Sequence, residues 1–249
     1  MKSSYRLFLA VLVTASVWSC GGAGGGDPIG GGGGDGIGPL GCRLDEYSPN
    51  YLQTEDPSTD IPNDVHWWDS FPIRVYFAND GTLQGQQLSD VAMAGFNSWS
   101  SSAGQTLAVE VATESQADVV VSFQNVQDQP GGGDFVGQTS WTYSPSTRQT
   151  FSADMILRTW DGMTANQVAN GLRRTAQHEF GHVLFLSGHS PNSEDTMYPF
   201  GTVNTYTALT EQDENSLLSA YCGSFEDRGR GRAPTGPVVT KTISCPAGH

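Results

Sequence analysis

Apolar residues between positions 71 and 223 recur at strand and helix spacing. Short alternating runs rich in β-branched and aromatic residues predict strands at 73–77, 107–112, 119–123, 136–143 and 151–157. Apolar residues three and four positions apart predict helices at 89–99, 165–186 and 209–220. The last helix opens with Thr210 and Asp213, which is close to a capping box. The body of the chain therefore mixes strands and helices.

The N-terminus has the pattern of an export signal. Lys2 and Arg6 precede an apolar run at 7–18 that is too short to cross a bilayer. The run ends in Val17-Trp18-Ser19-Cys20, which resembles a bacterial lipobox and implies cleavage before Cys20 and lipid attachment to it. Ordinary secretion is the alternative. Both predict an extracytoplasmic protein, either lipid-anchored at the bacterial cell envelope or secreted.

Charge and cysteines limit the partners and the cross-links. A net charge of −14 repels phosphate backbones, so we expect no nucleic-acid partner. We expect membrane contact through the lipid anchor only, and a monomer. Outside the cytoplasm, Cys42, Cys222 and Cys245 can form one disulfide in three ways. We favour Cys222–Cys245, because it would attach the Pro/Gly/Arg-rich C-terminus to the body.

The motif HEFGH at residues 178–182 carries the candidate chemistry. On a helix, His178 and His182 share one face about 6 Å apart along the axis, so both imidazoles can bind one metal ion. Glu179 beside them can act as catalytic base towards a zinc-activated water. A catalytic zinc needs a third protein ligand. His189 can supply it if the helix stops, and Ser187-Gly188 offers a left-handed exit.

These residues also carry a family resemblance. The sequence HEFGHVLFLSGHS, followed by DTMYPF, resembles the metzincins and, within them, the matrixins (matrix-metalloproteinase-like peptidases). Met197 follows His189 by eight residues, the matrixin separation for the Met-turn, a methionine packed beneath the metal ligands. The resemblance covers about residues 71–223. It implies a zinc-dependent endopeptidase with one catalytic Zn²⁺ that acts on protein or peptide substrates.

The same resemblance implies an α+β, zincin-like (metzincin) domain. We expect a twisted, mostly parallel five-stranded sheet, two long helices, and a small C-terminal subdomain with the Met-turn and the last helix. An extended substrate would pair with an edge strand, for which 136–143 is the candidate. The expected divisions are a signal peptide (1–19), a lipidated Cys20 with a Gly-rich tether (20–41), a lead-in segment (42–70), the catalytic domain (71–223) and a tail (224–249).

The third histidine departs from the family pattern. It comes one residue late, and Phe185 stands where the family has glycine, so we expect the turn to move to Gly188 and the helix to lengthen by about one residue. A gluzincin-like peptidase with Glu211 or Glu214 as third ligand is one alternative. A non-catalytic surface binding lipoprotein is the other.

Three further positions bear on additional metal sites and on inhibition of the zinc. Only His66 lies upstream of the motif, so the family's second, structural zinc is not expected. Asp134 in a Gly-rich loop could join a Ca²⁺ site, and a solvated loop aspartate is the alternative. Cys42 could reach the zinc as an inhibitory thiolate, although a disulfide is the favoured role for it.

Overall fold

The computed structural model describes residues 17–19, 36–131, 134–200, 205–229 and 236–246. The strands are β1 (Val17–Ser19), β2 (Glu55–Asp56), β3 (Ile61–Pro62), β4 (Trp67–Trp68), β5 (Ile73–Phe77), β6 (Thr82–Leu83), β7 (Gln86–Gln87), β8 (Ala108–Glu110), β9 (Val119–Val126), β10 (Phe135–Tyr143), β11 (Gln149–Trp160) and β12 (Val239–Pro246). The α-helices are α1 (Leu88–Phe96), α2 (Ser98–Ala103), α3 (Arg173–Leu184) and α4 (Glu211–Tyr221). A 3₁₀ turn covers Glu114–Gln116, and a π-helical segment covers Gln167–Leu172.

One sheet organises the molecule, in the order β1-β12-β10-β11-β9-β5-β8, with β4 paired to β11 beside this path. The five predicted strands are β5, β8, β9, β10 and β11. Four of them run parallel to their neighbours, and β10 is antiparallel to β11. Alternate residues of β5 are buried, as expected for a strand with one face on the core. The predicted α+β fold with a mostly parallel sheet is therefore confirmed.

The sheet is larger than predicted because the C-terminal segment joins it. β12 runs antiparallel to β10 along its whole length, from Val239 opposite Tyr143 to Pro246 opposite Phe135. β1 pairs with the other side of β12 in parallel. The prediction that residues 224–249 form only a tail is therefore wrong for β12. Its alternation is mostly of Thr, Ser and Lys, with only Ile243 and Cys245 buried, so the strand carries a weak hydrophobic signal.

The helices α1 and α3 pack against each other at close range. A Cβ on Gly95 would lie 2.5 Å from the carbonyl oxygen of Arg173, so α1 and α3 touch backbone to backbone at this glycine. Phe96 of α1 stacks on Phe180 of α3 with ring centroids 4.6 Å apart. The predicted helix 89–99 is divided at Asn97 between α1 and α2. Among the described residues, no helix has the length and apolar character needed to cross a membrane.

The cysteine pairing corrects the prediction. Cys42 and Cys222 form a disulfide, with Cα atoms 5.8 Å apart, so Cys222–Cys245 is wrong and Cys42 is not available as an inhibitory thiolate. The favoured disulfide role of Cys42 holds. The bond attaches the lead-in segment to the end of α4, the helix that Thr210 and Asp213 open with the predicted capping box. The lead-in segment is thus fixed to the body before it reaches the site.

Candidate metal centre

Three imidazoles converge on one point of the structure. His178 and His182 project from one face of α3, and their Nε2 atoms are 3.1 Å apart. His189 is fully buried, with its ring centroid 5.4 Å from that of His178 and 5.0 Å from that of His182. The structure therefore brings together the three histidines that the sequence proposes as metal ligands.

Each ring turns its Nδ1 atom away from the centre, towards an acceptor. Nδ1 of His178 lies 2.7 Å from the carbonyl oxygen of Thr196, and Nδ1 of His182 lies 2.8 Å from that of Leu186. Burial lowers the pKa of His178 to about 3 and lowers that of His182 well below its ordinary value. Both rings are therefore neutral, and with Nδ1 as donor each Nε2 lone pair faces the centre, as a metal ligand requires.

Asp56 is the acceptor for Nδ1 of the third ring, that of His189. Its Oδ1 lies 3.1 Å from Nδ1 of His189, and both side chains are buried. Burial acts to raise the pKa of Asp56, but hydrogen bonds from His189 and Ser58 outweigh it and the net pKa is lowered. Asp56 is therefore an ionised acceptor that orients the third ring. Its only sequence signal is that it is an acidic residue in a polar segment.

A fourth donor atom completes the cluster. Sγ of Cys245 lies 3.1 Å from Nε2 of His178, 3.4 Å from that of His182 and 3.5 Å from that of His189. The four donor atoms all lie within 4.8 Å of one another. Tetrahedral zinc, with bonds of about 2.1 Å to nitrogen and 2.3 Å to sulfur, needs donors roughly 3.4–3.6 Å apart. The donor set and its spacing therefore fit zinc.

The chain reaches His189 by a route different from the predicted one. α3 ends at Leu184, and neither Phe185 nor Gly188 has a positive φ, so the expected left-handed exit at Gly188 is wrong. Phe185 instead takes a φ of −156°, which a bulky side chain tolerates. A Cβ on Gly188 would overlap the amide of Asn63, so this glycine makes room for a neighbouring segment.

That neighbour is the lead-in segment, which holds the turn through its backbone and Asn63. The amide of Asn63 donates to the carbonyl of His189 at 2.9 Å and accepts from its N–H at 3.0 Å. Two backbone hydrogen bonds complete the pairing. The N–H of Ser187 donates to the carbonyl of Asp64 at 2.9 Å, and the N–H of His66 donates to the carbonyl of Phe185 at 3.0 Å. Residues 56–66 therefore supply both the position and the orientation of the third histidine.

Glu179 lies beside the cluster and outside its donor set. It is fully buried, and its Oε2 accepts a hydrogen bond of 2.6 Å from the hydroxyl of Thr139 on β10. Gly137, also on β10, faces the same carboxylate, and a Cβ there would lie 2.6 Å from the carboxyl carbon. Glycine at this position leaves room for the carboxylate between α3 and β10.

Met197 packs under α3, where the Met-turn resemblance expects it. A Cβ on Gly181 would overlap its sulfur, so the helix and the turn are in direct contact. The turn is held by Asp213, which accepts from the N–H of Thr196 at 2.8 Å and from the hydroxyl of Tyr51 at 2.9 Å. Burial raises the pKa of Asp213. The sequence identified Asp213 only as a cap and missed its role in placing this turn.

The remaining predicted residues lie elsewhere. Within the described ranges the ligand cluster holds no carboxylate; Glu214 instead accepts a hydrogen bond from Ser102 at 3.0 Å, and Glu211 is not part of the cluster. Oδ1 of Asp134 lies 4.0 Å from Nη1 of Arg158. A calcium site at Asp134 stays a prediction. Cys20 lies outside the described residues.

Comparison with known families agrees with the extent of the resemblance. A family model described as matrixin matches residues 67–222, which include the three histidines, Glu179 and Met197. No curated protein matches the chain.

Proposed function

Because the chain belongs to the matrixin family, we propose that it is a zinc-dependent endopeptidase that cleaves protein or peptide substrates. One observation carries the proposal: three buried imidazoles converge on one point with a buried carboxylate beside them. His178, His182 and His189 would hold the zinc. Glu179 would act as general base.

Bound zinc supplies a water of lowered pKa and polarises a peptide carbonyl. The chain's own residues supply the proton transfer. Glu179 follows His178 directly, so its side chain points about 100° away from the imidazole face and lies beside the ligands. Its carboxylate takes a proton from the attacking water and passes it to the leaving amine. Thr139 holds that carboxylate through its 2.6 Å hydrogen bond.

The substrate would lie extended along β10. That edge accepts an antiparallel strand, since β12 pairs there from Tyr143 to Phe135 with one irregularity between Phe135 and Gly137. Backbone pairing of this kind provides affinity that depends little on sequence, and side-chain pockets then provide preference. Gly137 and Thr139 on β10 both touch Glu179, so a substrate on this edge would pass beside the proposed base.

A second candidate, a surface binding protein that has lost turnover, is favoured by one feature. The cluster contains four protein donors, and structural zinc sites are typically closed in this way, whereas catalytic sites keep one position open. The buried Glu179 favours the peptidase, because a closed structural site has no use for a base. Removing the Cys245 thiol distinguishes the two candidates.

The test compares Glu179→Ala with His182→Ala, each made in the intact chain and in a Cys245→Ser background. Zinc per protein is measured by elemental analysis, and hydrolysis is measured with casein or gelatin. Glu179→Ala should retain zinc while hydrolysis falls by about two to four orders of magnitude, the usual contribution of general acid–base catalysis. His182→Ala should lose both zinc and activity, because two ligands hold zinc poorly.

Two outcomes would count against the proposal. Near-parental hydrolysis by Glu179→Ala would remove Glu179 as base. Absence of hydrolysis from the zinc-loaded Cys245→Ser parent would favour the binding protein. The inactive Glu179→Ala variant also controls for contaminating peptidases, since it shares the purification and the metal site.

We further propose that the protein acts outside the cytoplasm, anchored through lipid on Cys20 or, failing that, secreted. The disulfide between Cys42 and Cys222 supports an oxidising compartment, because such bonds persist mainly outside the cytoplasm. The proposed anchor precedes the Gly-rich tether that separates it from the body.

A further inference from the structure

We infer that Cys245 is a fourth ligand of the metal and that β12 lies in the substrate position, so that the folded chain holds itself latent. The latency rests on the proposed peptidase function; the ligand assignment does not. Cys245 is buried, and its sulfur lies within 3.5 Å of Nε2 of each of the three histidines, where a thiolate donor to a shared metal would lie. Soft sulfur and imidazole donors together are a common zinc set.

The position of the sulfur is the first argument. Its distances of 3.1–3.5 Å to all three Nε2 atoms mean that it does not favour one histidine, as a simple hydrogen bond would. It sits over the face that the three rings leave open. A metal bound there with His178, His182 and His189 would therefore have its fourth position taken by protein.

The course of β12 is the second argument, and it is independent of the sulfur. β12 pairs antiparallel with β10, the edge proposed for substrate, and its register sets Cys245 opposite Gly137. Gly137 is the residue whose Cα faces the Glu179 carboxylate. One strand therefore both fills the substrate edge and delivers a thiol to the metal. Glu179 is fully buried in this arrangement, as a base without access to substrate would be.

The contacts that attach β12 to the rest of the domain are of a kind that can break and form again. The disulfide joins Cys42 to Cys222, and both residues lie outside β12. Its side-chain hydrogen bonds to β10 include two hydroxyl pairs, Ser140 with Thr242 at 2.8 Å and Thr142 with Thr240 at 3.0 Å, and a bond from the amide of Gln138 to Ser244. Lys241 adds a half-exposed ion pair to the lead-in segment, and such pairs contribute little. The backbone ladder and the thiolate therefore carry most of the attachment.

The proposed step balances without an oxidant or reductant. As Sγ binds, the Cys245 thiol loses its proton to solvent and its sulfur lone pair enters the metal's fourth position. When β12 leaves β10, the sulfur–metal bond breaks, the thiolate regains a proton from solvent, and that position opens. The edge of β10 becomes available at the same time, so displacement of one strand would provide both changes that hydrolysis requires.

Cobalt substitution tests the ligand without relying on activity. The full chain, Cys245→Ser and Ser244→Ala are each stripped of metal and loaded with one equivalent of Co²⁺. Thiolate bound to Co²⁺ gives a charge-transfer absorption in the near ultraviolet that imidazole and water do not give. We expect the band in the full chain and in Ser244→Ala, and its loss in Cys245→Ser. Ser244 is the matched control, because it neighbours Cys245 on β12 and bonds to Gln138 on β10.

The zinc-loaded forms are then compared for hydrolysis. Cys245→Ser should be at least about tenfold faster than the full chain, as expected if most molecules hold the closed state, and Ser244→Ala should stay within about twofold. A full chain that binds Co²⁺ without the band would overturn the ligand assignment, whatever the variants do. A band with equal hydrolysis by the full chain and Cys245→Ser would overturn the latency. A band with no hydrolysis from any form would instead leave the ligand standing and refute the peptidase.

Discussion

Asp56→Asn is expected to weaken zinc binding by about 10–100-fold, the usual effect of removing a carboxylate partner from a metal-binding histidine. His178 and His182 donate to backbone carbonyls, which substitution cannot delete. His189 alone among the three is oriented by a side-chain carboxylate, at 3.1 Å. Asp56 is therefore the point at which the surroundings of one ligand can be changed while the ligand itself stays.

The expected loss of zinc affinity follows from the hydrogen bonds that asparagine can still accept at position 56. Oδ1 of Asp56 also accepts from the N–H of Ser58 at 2.9 Å and from its hydroxyl at 2.7 Å. An amide oxygen in the same place can accept these bonds, so the substitution removes mainly the negative charge from beside the His189 ring. A 10–100-fold loss corresponds to about 1.4–2.7 kcal/mol of zinc-binding free energy.

The assay is a competition titration of zinc against a chromophoric chelator, with wild type, Asp56→Asn and Asp60→Asn. Asp60 is the matched control because it lies four residues away in the same loop, is exposed, and takes a positive φ that asparagine tolerates. Unfolding in urea of the metal-free proteins separates any loss of fold from loss of affinity. Zinc binding by Asp56→Asn within twofold of the control would refute the orienting role.

Three other substitutions test separate parts of the structure. Gly181→Ala should lower stability by about 1–2 kcal/mol in urea unfolding. Crowding against Met197 should cost about 2–3 kcal/mol, the upper part of the usual range, and helix propensity returns about 1. Unchanged stability would mean that the turn can move. Tyr221→Phe leaves the carbonyl of Leu184 and the N–H of Trp68 without their shared hydroxyl and should cost about 1–3 kcal/mol at unchanged zinc content. Cys20→Ser should abolish metabolic labelling with palmitate, and labelling absent from both forms would favour plain secretion.

Local pattern was sufficient for the elements that lie next to one another in sequence. The five strands and the helix under the histidines follow from periodicity, because each has one apolar face on a common core. The convergence of His178 and His182 follows from helix geometry alone. Met197 needed the family resemblance, since nothing in its own neighbourhood distinguishes it from an ordinary core methionine.

Partners far apart in sequence could not be predicted in the same way. Asp56 and Asn63 act on His189 across more than 120 residues, and no periodicity marks a polar residue for such a role. The sequence predicts a left-handed helix exit at Gly188, whereas the glycine is needed there for the space that it leaves for Asn63. The cysteines allowed three pairings of equal chemistry, and only the placement of β12 decides which sulfur faces the metal.

The disulfide has a consequence for survival among proteases. It closes a loop of 180 residues, which restricts the unfolded chain by about 5 kcal/mol of conformational entropy. Every strand and helix from β2 to α4 lies inside that loop. A single nick anywhere between Cys42 and Cys222 therefore leaves one covalently joined molecule, with the histidines and Asp56 still on the same body. A nick beyond Cys222 has the opposite result, since it separates β12 as a fragment from an otherwise complete domain.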